Sequence, residues 1–280
     1  MSNVLPNFSL KVGRTSQGHS GIMEMYASYP FRLSPPLKLS SQDQNCLYLY
    51  LMNTAPGWLG GDRYQGEITL ARNAHLFLTD QAATKVHTMP DQSAQVNYQV
   101  NLAPGAFLEW LPEPMILYQE ACLQQRLEIT VAKDAGFAIS EMLIPGRLAR
   151  GEFYQFRHYR NQVVVQDQQG NCLFQDSGQL FGKTNPLRES SLLMSFPIMG
   201  TLYLVPPSAI ALSELQAKLQ ALVKEYGKDL KAGVSTLPNC EGLLVRLLAT
   251  QASHNAHYMK QAVSLFRNFL NLPTLPEIPK

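Results

Sequence analysis

The sequence predicts a mainly β protein, a solenoid or sandwich of stacked strand pairs closed by a small α+β portion with two helices. Two observations carry that expectation. A single pattern occurs three times, in "ITLARNAHLFL" from Ile68, "VNLAPGAFLEW" from Val100 and "ITVAKDAGFAI" from Ile129. Each copy runs apolar, polar, apolar, Ala, two turn residues, Ala, any residue, apolar. The copies start about 30 residues apart, the range in which one supersecondary unit stacks on the next. The second observation is a change of period near residue 200, from strand alternation to helical spacing.

The elements follow in order. "LYLYLMN" (residues 47–53) and "EITL" (67–70) read as strands, and between them lies the loop "PGWLGGDRYQG". In the three copies the pairs Arg-Asn, Pro-Gly and Lys-Asp are turn chemistry, so each copy is a strand, a tight corner and a second strand. Two more alternating strands lie within residues 152–176, joined by a Gln-Gln-Gly turn. "TLYLV" at 201–205 is a strand, and "SELQAKLQALVKEYG" then carries a helix signal. There Ser213 and Gln216 are spaced as a capping box, Leu215, Leu219, Leu222 and Tyr226 share one face, and Gly227 can end the helix. After two strands, "AGVSTL" and "GLLVRLLA", a second helix opens near Ser253, with Ala256, Met259, Val263, Phe266 and Leu270 on its apolar face and Pro273 as its stop. The tail "LPTLPEIPK" reads as a loose end or a partner-binding arm. The expected division is a β body over 1–195 and an α+β portion over 196–280, within one domain overall.

Composition excludes several function classes. The formal net charge is +2 and the 23 basic residues are scattered, so no basic stripe suits a phosphate backbone. No run reaches the ~18 apolar residues that span a bilayer, and the first residues lack an apolar leader core. The expected location is cytoplasmic. Cys46, Cys122, Cys172 and Cys240 never form a CxxC pair, which argues against a zinc or redox motif and for single buried thiols. Charged residues are only 16% of the chain, against about 25% in a typical soluble domain. Neutral polar side chains or partner proteins must cover the rest of the surface.

Candidate chemistry is thin. No Lys-Ser follows the glycines of the 56–66 loop and a strand comes after it, so a phosphate cradle is excluded. Asp62 there is either a solvated turn residue or an acid turned inward. Further acids lie at Glu109, Glu113, Glu141, Glu152 and Asp176 among largely apolar strands. Such groups must be paired or must line a wet interior, with Arg147 and Arg150 as possible partners for Glu141 and Glu152. A pair such as Glu109 and Glu141 also suits glycoside hydrolysis, if its separation allows. His254 and His257 could face a metal from a helix start, while His75 and His87 show no third ligand.

Taken together, "YPFRLSPPL" from Tyr29, "CLYLYLMNTAPGWLGGD" from Cys46, "LTDQAATKVH" from Leu78, "LEWLPEPMI" from Leu108 and "EMLIPGRLARGE" from Glu141 resemble the UreD (UreH) family of urease accessory proteins. "GRT" at Gly13 and "RNFL" in the last helix extend the match over nearly the whole chain. The chain departs from the family at His87, at Arg63 and in its last residues, "PEIPK". The resemblance implies a flattened, helically wound stack of β-strands, β-solenoid-like, with two helices and no enzymatic turnover. It also implies UreF, the GTPase UreG and apo-urease as partners, and nickel as cargo in transit through an internal polar tunnel. Carried over by motif, the tunnel positions are Asp62, Thr84, Glu141 and Asp176. Oxygen donors hold Ni(II) more weakly than imidazole or thiolate, so a row of carboxylates can hand the ion onward. A pure adaptor with a dry interior is the alternative.

Overall fold

A computed structural model describes residues 6–37, 39, 43, 45–182 and 189–279. Residues 1–5 and Lys280, the outer ends of the N-terminal stretch and the tail, lie outside them. The chain begins with an antiparallel pair, β1 (Phe8–Arg14) and β2 (Ser20–Ala27), followed by β3 (Phe31–Leu33) and β4 (Cys46–Asn53). Three coils come next. In the first, β5 (Arg63–Leu70) turns a corner into β6 (His75–Asp80), and the short β7 (Thr84–Val86) follows. The second joins β8 (Ala94–Leu102) to β9 (Phe107–Leu111), followed by β10 (Met115–Leu117). The third joins β11 (Cys122–Val131) to β12 (Gly136–Ile144). The antiparallel pair β13 (His158–Asp167) and β14 (Cys172–Phe181) leads to a short helix α1 (Ser191–Ser195). The chain ends with β15 (Ile198–Val205), α2 (Leu212–Val223), β16 (Leu230–Thr236), β17 (Leu243–Ala249) and α3 (Ala252–Phe269).

The three repeated patterns are the three corners. Within each corner the second alanine's N–H donates to the first alanine's carbonyl, at 3.0 Å for Ala74 to Ala71, Ala106 to Ala103 and Ala135 to Ala132. Between corners the ladder continues without a break: Ala103 N donates to Leu70 O at 3.0 Å, and Phe107 N to Ala74 O at 2.9 Å. Ala74 and Ala106 are fully buried, and a larger side chain there would push successive coils apart. Asn73 and Gly105 take positive φ at the second turn position of the first two corners, 58° and 71°.

Stacked corners give parallel pairing on both sides. One sheet has seven strands in the order β14-β13-β11-β8-β5-β1-β2, and the other runs β16-β17-β15-β12-β9-β6-β4-β3, with β7 and β10 attached beside β12. Alternate residues of the two sheets face each other. Ile68, Val100 and Ile129 from the first meet Leu76, Leu108 and Phe137 from the second in one apolar layer. The outer face of the second sheet, with Tyr48, Phe77, Phe107, Leu202 and Val245, packs on α2 and α3 in another. The molecule is therefore three layers, sheet, sheet and helices, with the sheets wound as a flattened solenoid. The expected boundary near 195 falls between α1 and β15, and β15 pairs with β12, so the second sheet runs across it.

Several local expectations are corrected. α2 starts at Leu212 with Ala211 as its cap, so Ser213 lies inside the first turn and makes no capping bond there. Gln216 instead donates to Val234 O at 3.0 Å, tying α2 to β16. On α3, Ala256 is exposed, and the buried face is Asn255, Tyr258, Met259, Ala262, Val263, Phe266 and Arg267. The helix places Asn255 where an apolar residue was expected because Gly200 opposite leaves room for it, 2.6 Å from a Cβ that Gly200 lacks. Cys46 and Cys122 are buried, but Cys172 is exposed on edge strand β14 and Cys240 is half-buried in a turn. The tail forms no helix or strand, yet Leu275 is buried and Ile278 packs against the helix layer, so its apolar residues dock instead of hanging free.

A Cβ on Gly105 would stand 2.0 Å from Asn73 Oδ1 and would sit at φ 71°. Gly105→Ala is expected to lower the unfolding free energy by about 1–3 kcal/mol, read from urea titrations.

Candidate functional site

Two cavities carrying buried acids interrupt the apolar layer between the sheets. The strand ends distant from the corners bring Tyr98, Trp110, Gln125 and Glu141 inward, and with Thr84, Asp80 and Glu113 they line a cavity of about 290 Å³. A second cavity of about 170 Å³ adjoins it, lined by Glu141, Tyr159, Asn161, Asp176, Tyr203 and Arg246 among others. Glu141 belongs to both linings. The first cavity reaches the exposed residues Gln81, Ala82 and Lys85, and the second reaches the exposed Gly178, Gln179 and Arg246.

Strand alternation explains why these carboxylates point inward. On β12, Phe137, Ile139, Glu141 and Leu143 share the inner face, so Glu141 continues a buried apolar row. Asp176 lies two residues beyond Phe174 on the inner face of β14. Glu141 accepts hydrogen bonds from the Tyr159 hydroxyl and, at 2.5 Å, from Asn161 Nδ2. Asp176 accepts from the Tyr203 hydroxyl at 2.5 Å and from Arg246 at 2.6 and 2.7 Å. Arg147 pairs with Glu152 and not with Glu141; its Nε donates to Glu152 Oε2 at 2.9 Å.

The interior raises the proton affinity of two acids. Burial pushes the Glu141 carboxyl up to about 7, with Asp176 adding to the rise and Asn161 and Arg246 opposing it. Burial likewise pushes Asp80 up to about 7, helped by the charge of Glu113 and opposed by a backbone hydrogen bond from Glu113. A cation entering the cavity would favour the ionised form of both and displace their protons.

Three of the four expected positions lie on this region, Thr84 on the first cavity, Asp176 on the second and Glu141 on both. Asp62 does not join them. Its Oδ2 accepts from Leu59 N and from the Tyr64 hydroxyl, each at 2.7 Å, which closes the 56–66 loop and braces Tyr64. The glycines of that loop serve close packing. A Cβ on Gly57 would lie 2.3 Å from Lys85 O, and one on Gly60 would lie 2.7 Å from Gln92 Oε1. The loop thereby pairs Trp58 with Val86 and sets the Trp58 side chain into the cavity wall.

Glu109 and Glu141 lie on opposite faces of the second sheet, so no single glycosidic bond could sit between them. Glu109 faces α3, where sequence reasoning missed a buried polar group. Arg267, fully buried, donates to Glu109 Oε2 at 2.7 Å, to Asp43 Oδ2 and to Pro273 O at 2.6 Å. His75 Nε2 lies 2.7 Å from the same Glu109 oxygen, and the Tyr48 hydroxyl donates to Asp43 at 2.5 Å. Burial, followed by the charges of Glu109 and Asp43, pushes the Cys46 thiol well above its ordinary range. His254 and His257 are held by Thr250 and Tyr226 at the start of α3.

A family model described as UreD urease accessory protein matches residues 7–280. The chain belongs to the UreD family. A urease accessory protein UreD of Trichodesmium erythraeum is 37% identical over 276 residues, 98% of this chain and 99% of that protein. Its counterpart in Haloarcula marismortui is 30% identical and covers 85% of this chain and 78% of its own length. A UreD of Actinobacillus pleuropneumoniae is 30% identical over 88% of this chain and 92% of its own. The role of this UreD-family chain lies in urease maturation, as an accessory protein and not as an enzyme. Among the described residues, no helix is long and apolar enough to cross a membrane.

Because the Glu141 and Asp80 pKa values are higher folded than unfolded, the folded state binds more protons between about pH 4.5 and 7. Their contribution to stability falls as pH rises through that window. Glu141→Gln and Asp80→Asn are each expected to make the wild-type stability profile fall less steeply there, measured by urea unfolding at pH 5 and pH 8. In Arg267→Met the two carboxylates lose their guanidinium, with an expected loss of about 3–5 kcal/mol in the same assay. Adding Glu109→Gln and Asp43→Asn should restore part of it.

Proposed function

We propose that this chain carries nickel toward apo-urease through the cavities between its sheets, as a scaffold working with UreF and UreG in the cytoplasm. The observation that carries this reading is the pair of cavities between the sheets that share Glu141, each lined in part by exposed residues. Thr84, Asp80 and Glu113 stand in the first, Glu141 at the junction and Asp176 in the second, so oxygen donors succeed one another along the line. The carboxylate and hydroxyl oxygens of this row suit passage because their hold on Ni(II) is weak and exchangeable. The Tyr159 and Asn161 bonds to Glu141 fill the junction at rest, and their rotation would open it. Asp62 serves the passage indirectly, through the loop that places Trp58 in the wall.

Partner binding is supported by exposed apolar groups. Met23, Met25 and Tyr26 on edge strand β2, with Tyr29 beyond it, stand in solvent, as do Leu192 and Met194 on α1. A surface with few charges and such a patch suits a protein that works covered by others.

Glu141→Gln keeps the shape of the junction and one of its two acceptor oxygens but removes its charge. Nickel incorporated into apo-urease, measured by metal analysis of the activated enzyme, is expected to fall at least about tenfold, with the accessory complex still assembling in pull-downs. Wild-type loading by an assembled Glu141→Gln complex would leave only the adaptor reading.

A further inference from the structure

On the far side of the second sheet from the cavities, three donors of different chemistry converge beneath α3. Cys46 of β4 stands directly beside His75 of β6, and Glu109 of β9 pairs with Phe77, two residues along the same face. The Cys46 sulfur, an imidazole nitrogen of His75 and a Glu109 oxygen all lie within 4.8 Å of one another, and all three residues are buried. Glu109 is 0% exposed, yet its Oε1 has no hydrogen-bond partner. An orphaned carboxylate oxygen in a closed core costs free energy unless something fills the place.

Charge points the same way. Asp43 and Glu109 face one guanidinium, Arg267, in this interior. With Cys46 as thiolate the group would carry a net charge of minus two, which one divalent ion neutralises. We propose that Cys46, His75 and Glu109 form a closed site for one divalent metal ion of borderline softness, with zinc as the type. Sulfur, imidazole and carboxylate are the donors that zinc selects, at bond lengths of about 2.0–2.3 Å. Donors around such an ion stand roughly 3–4 Å apart, so small side-chain rotations close the group onto it. The Cys46 S–H bond breaks as the sulfur–metal bond forms, and the proton passes to solvent. Arg267 holds Glu109 by Oε2 from behind, which leaves Oε1 for the ion.

Such a site retains its metal and does not pass it on. Its thiolate and imidazole bind tightly, whereas Thr84, Glu141 and Asp176 in the cavities offer only oxygen. The ion would join β4, β6 and β9 beneath the helix that covers them.

The full chain, stripped with a chelator and titrated with cobalt(II), tests this. About one cobalt per chain should bind and give the near-ultraviolet thiolate-to-metal absorption of a tetrahedral site, displaced by zinc. Cys46→Ser should abolish that absorption and weaken binding at least about tenfold. A second variant carrying Cys122→Ser, Cys172→Ser and Cys240→Ser keeps Cys46 as the sole thiol and should retain the absorption, so the test survives if Cys46→Ser fails to fold. Glu141→Gln should also retain it, which separates this site from the passage. A folded wild-type chain without the absorption, its persistence in Cys46→Ser, or its loss in the second variant would overturn the assignment.

Discussion

The alanine corners fix everything that follows in the strands. A β-strand alternates its side chains with period two, so a slip of one residue would turn each inward group outward. Three corners bonded to one another at 2.9–3.0 Å hold β5, β8 and β11 in register on one side and β6, β9 and β12 on the other. That register places the row ending in Glu141 between the sheets and the row containing Glu109 against the helices. Two acids of one sheet thus enter different environments by parity alone. One meets tyrosine, asparagine and cavity space, and the other meets arginine and histidine.

Both ends of the stack switch to antiparallel pairing. β2 runs against β1 at one edge and β14 against β13 at the other, while β15 turns the second sheet antiparallel beyond β12. Parallel coils could in principle continue indefinitely; these strands end them. Their edges carry the exposed methionines and tyrosine of β2 and the polar run of β14.

The corners were legible because they repeat locally, and so were the strands and the two long helices. Thr84, Glu141 and Asp176 came from family motifs, and all three line the cavities between the sheets. Glu113 was already among the acids that the strands had to pair or enclose, and Asp80 could have been found in the motif "LTDQAATKVH", at the end of β6. Arg267 and Asp43 could not be read this way, because a charged residue on a helix and one in an irregular segment normally meet water. They meet each other across 224 positions. The Cys46, His75 and Glu109 group left a fainter trace. The first two are 29 positions apart, close to one coil, but the signal needs the register that only the stack supplies.

The distance in sequence between Asp43 and Arg267 sets an order on biosynthesis. Asp43 and the strands bearing Glu109 and the apolar rows leave the ribosome long before α3 does, and contacts spanning most of a chain are the last and slowest to form. A nascent chain with every coil wound still holds two acidic side chains facing an uncovered sheet. Only the arrival of the final helix, with its single guanidinium, roofs that surface, so maturation of the newborn polypeptide is gated from its carboxyl-terminal end.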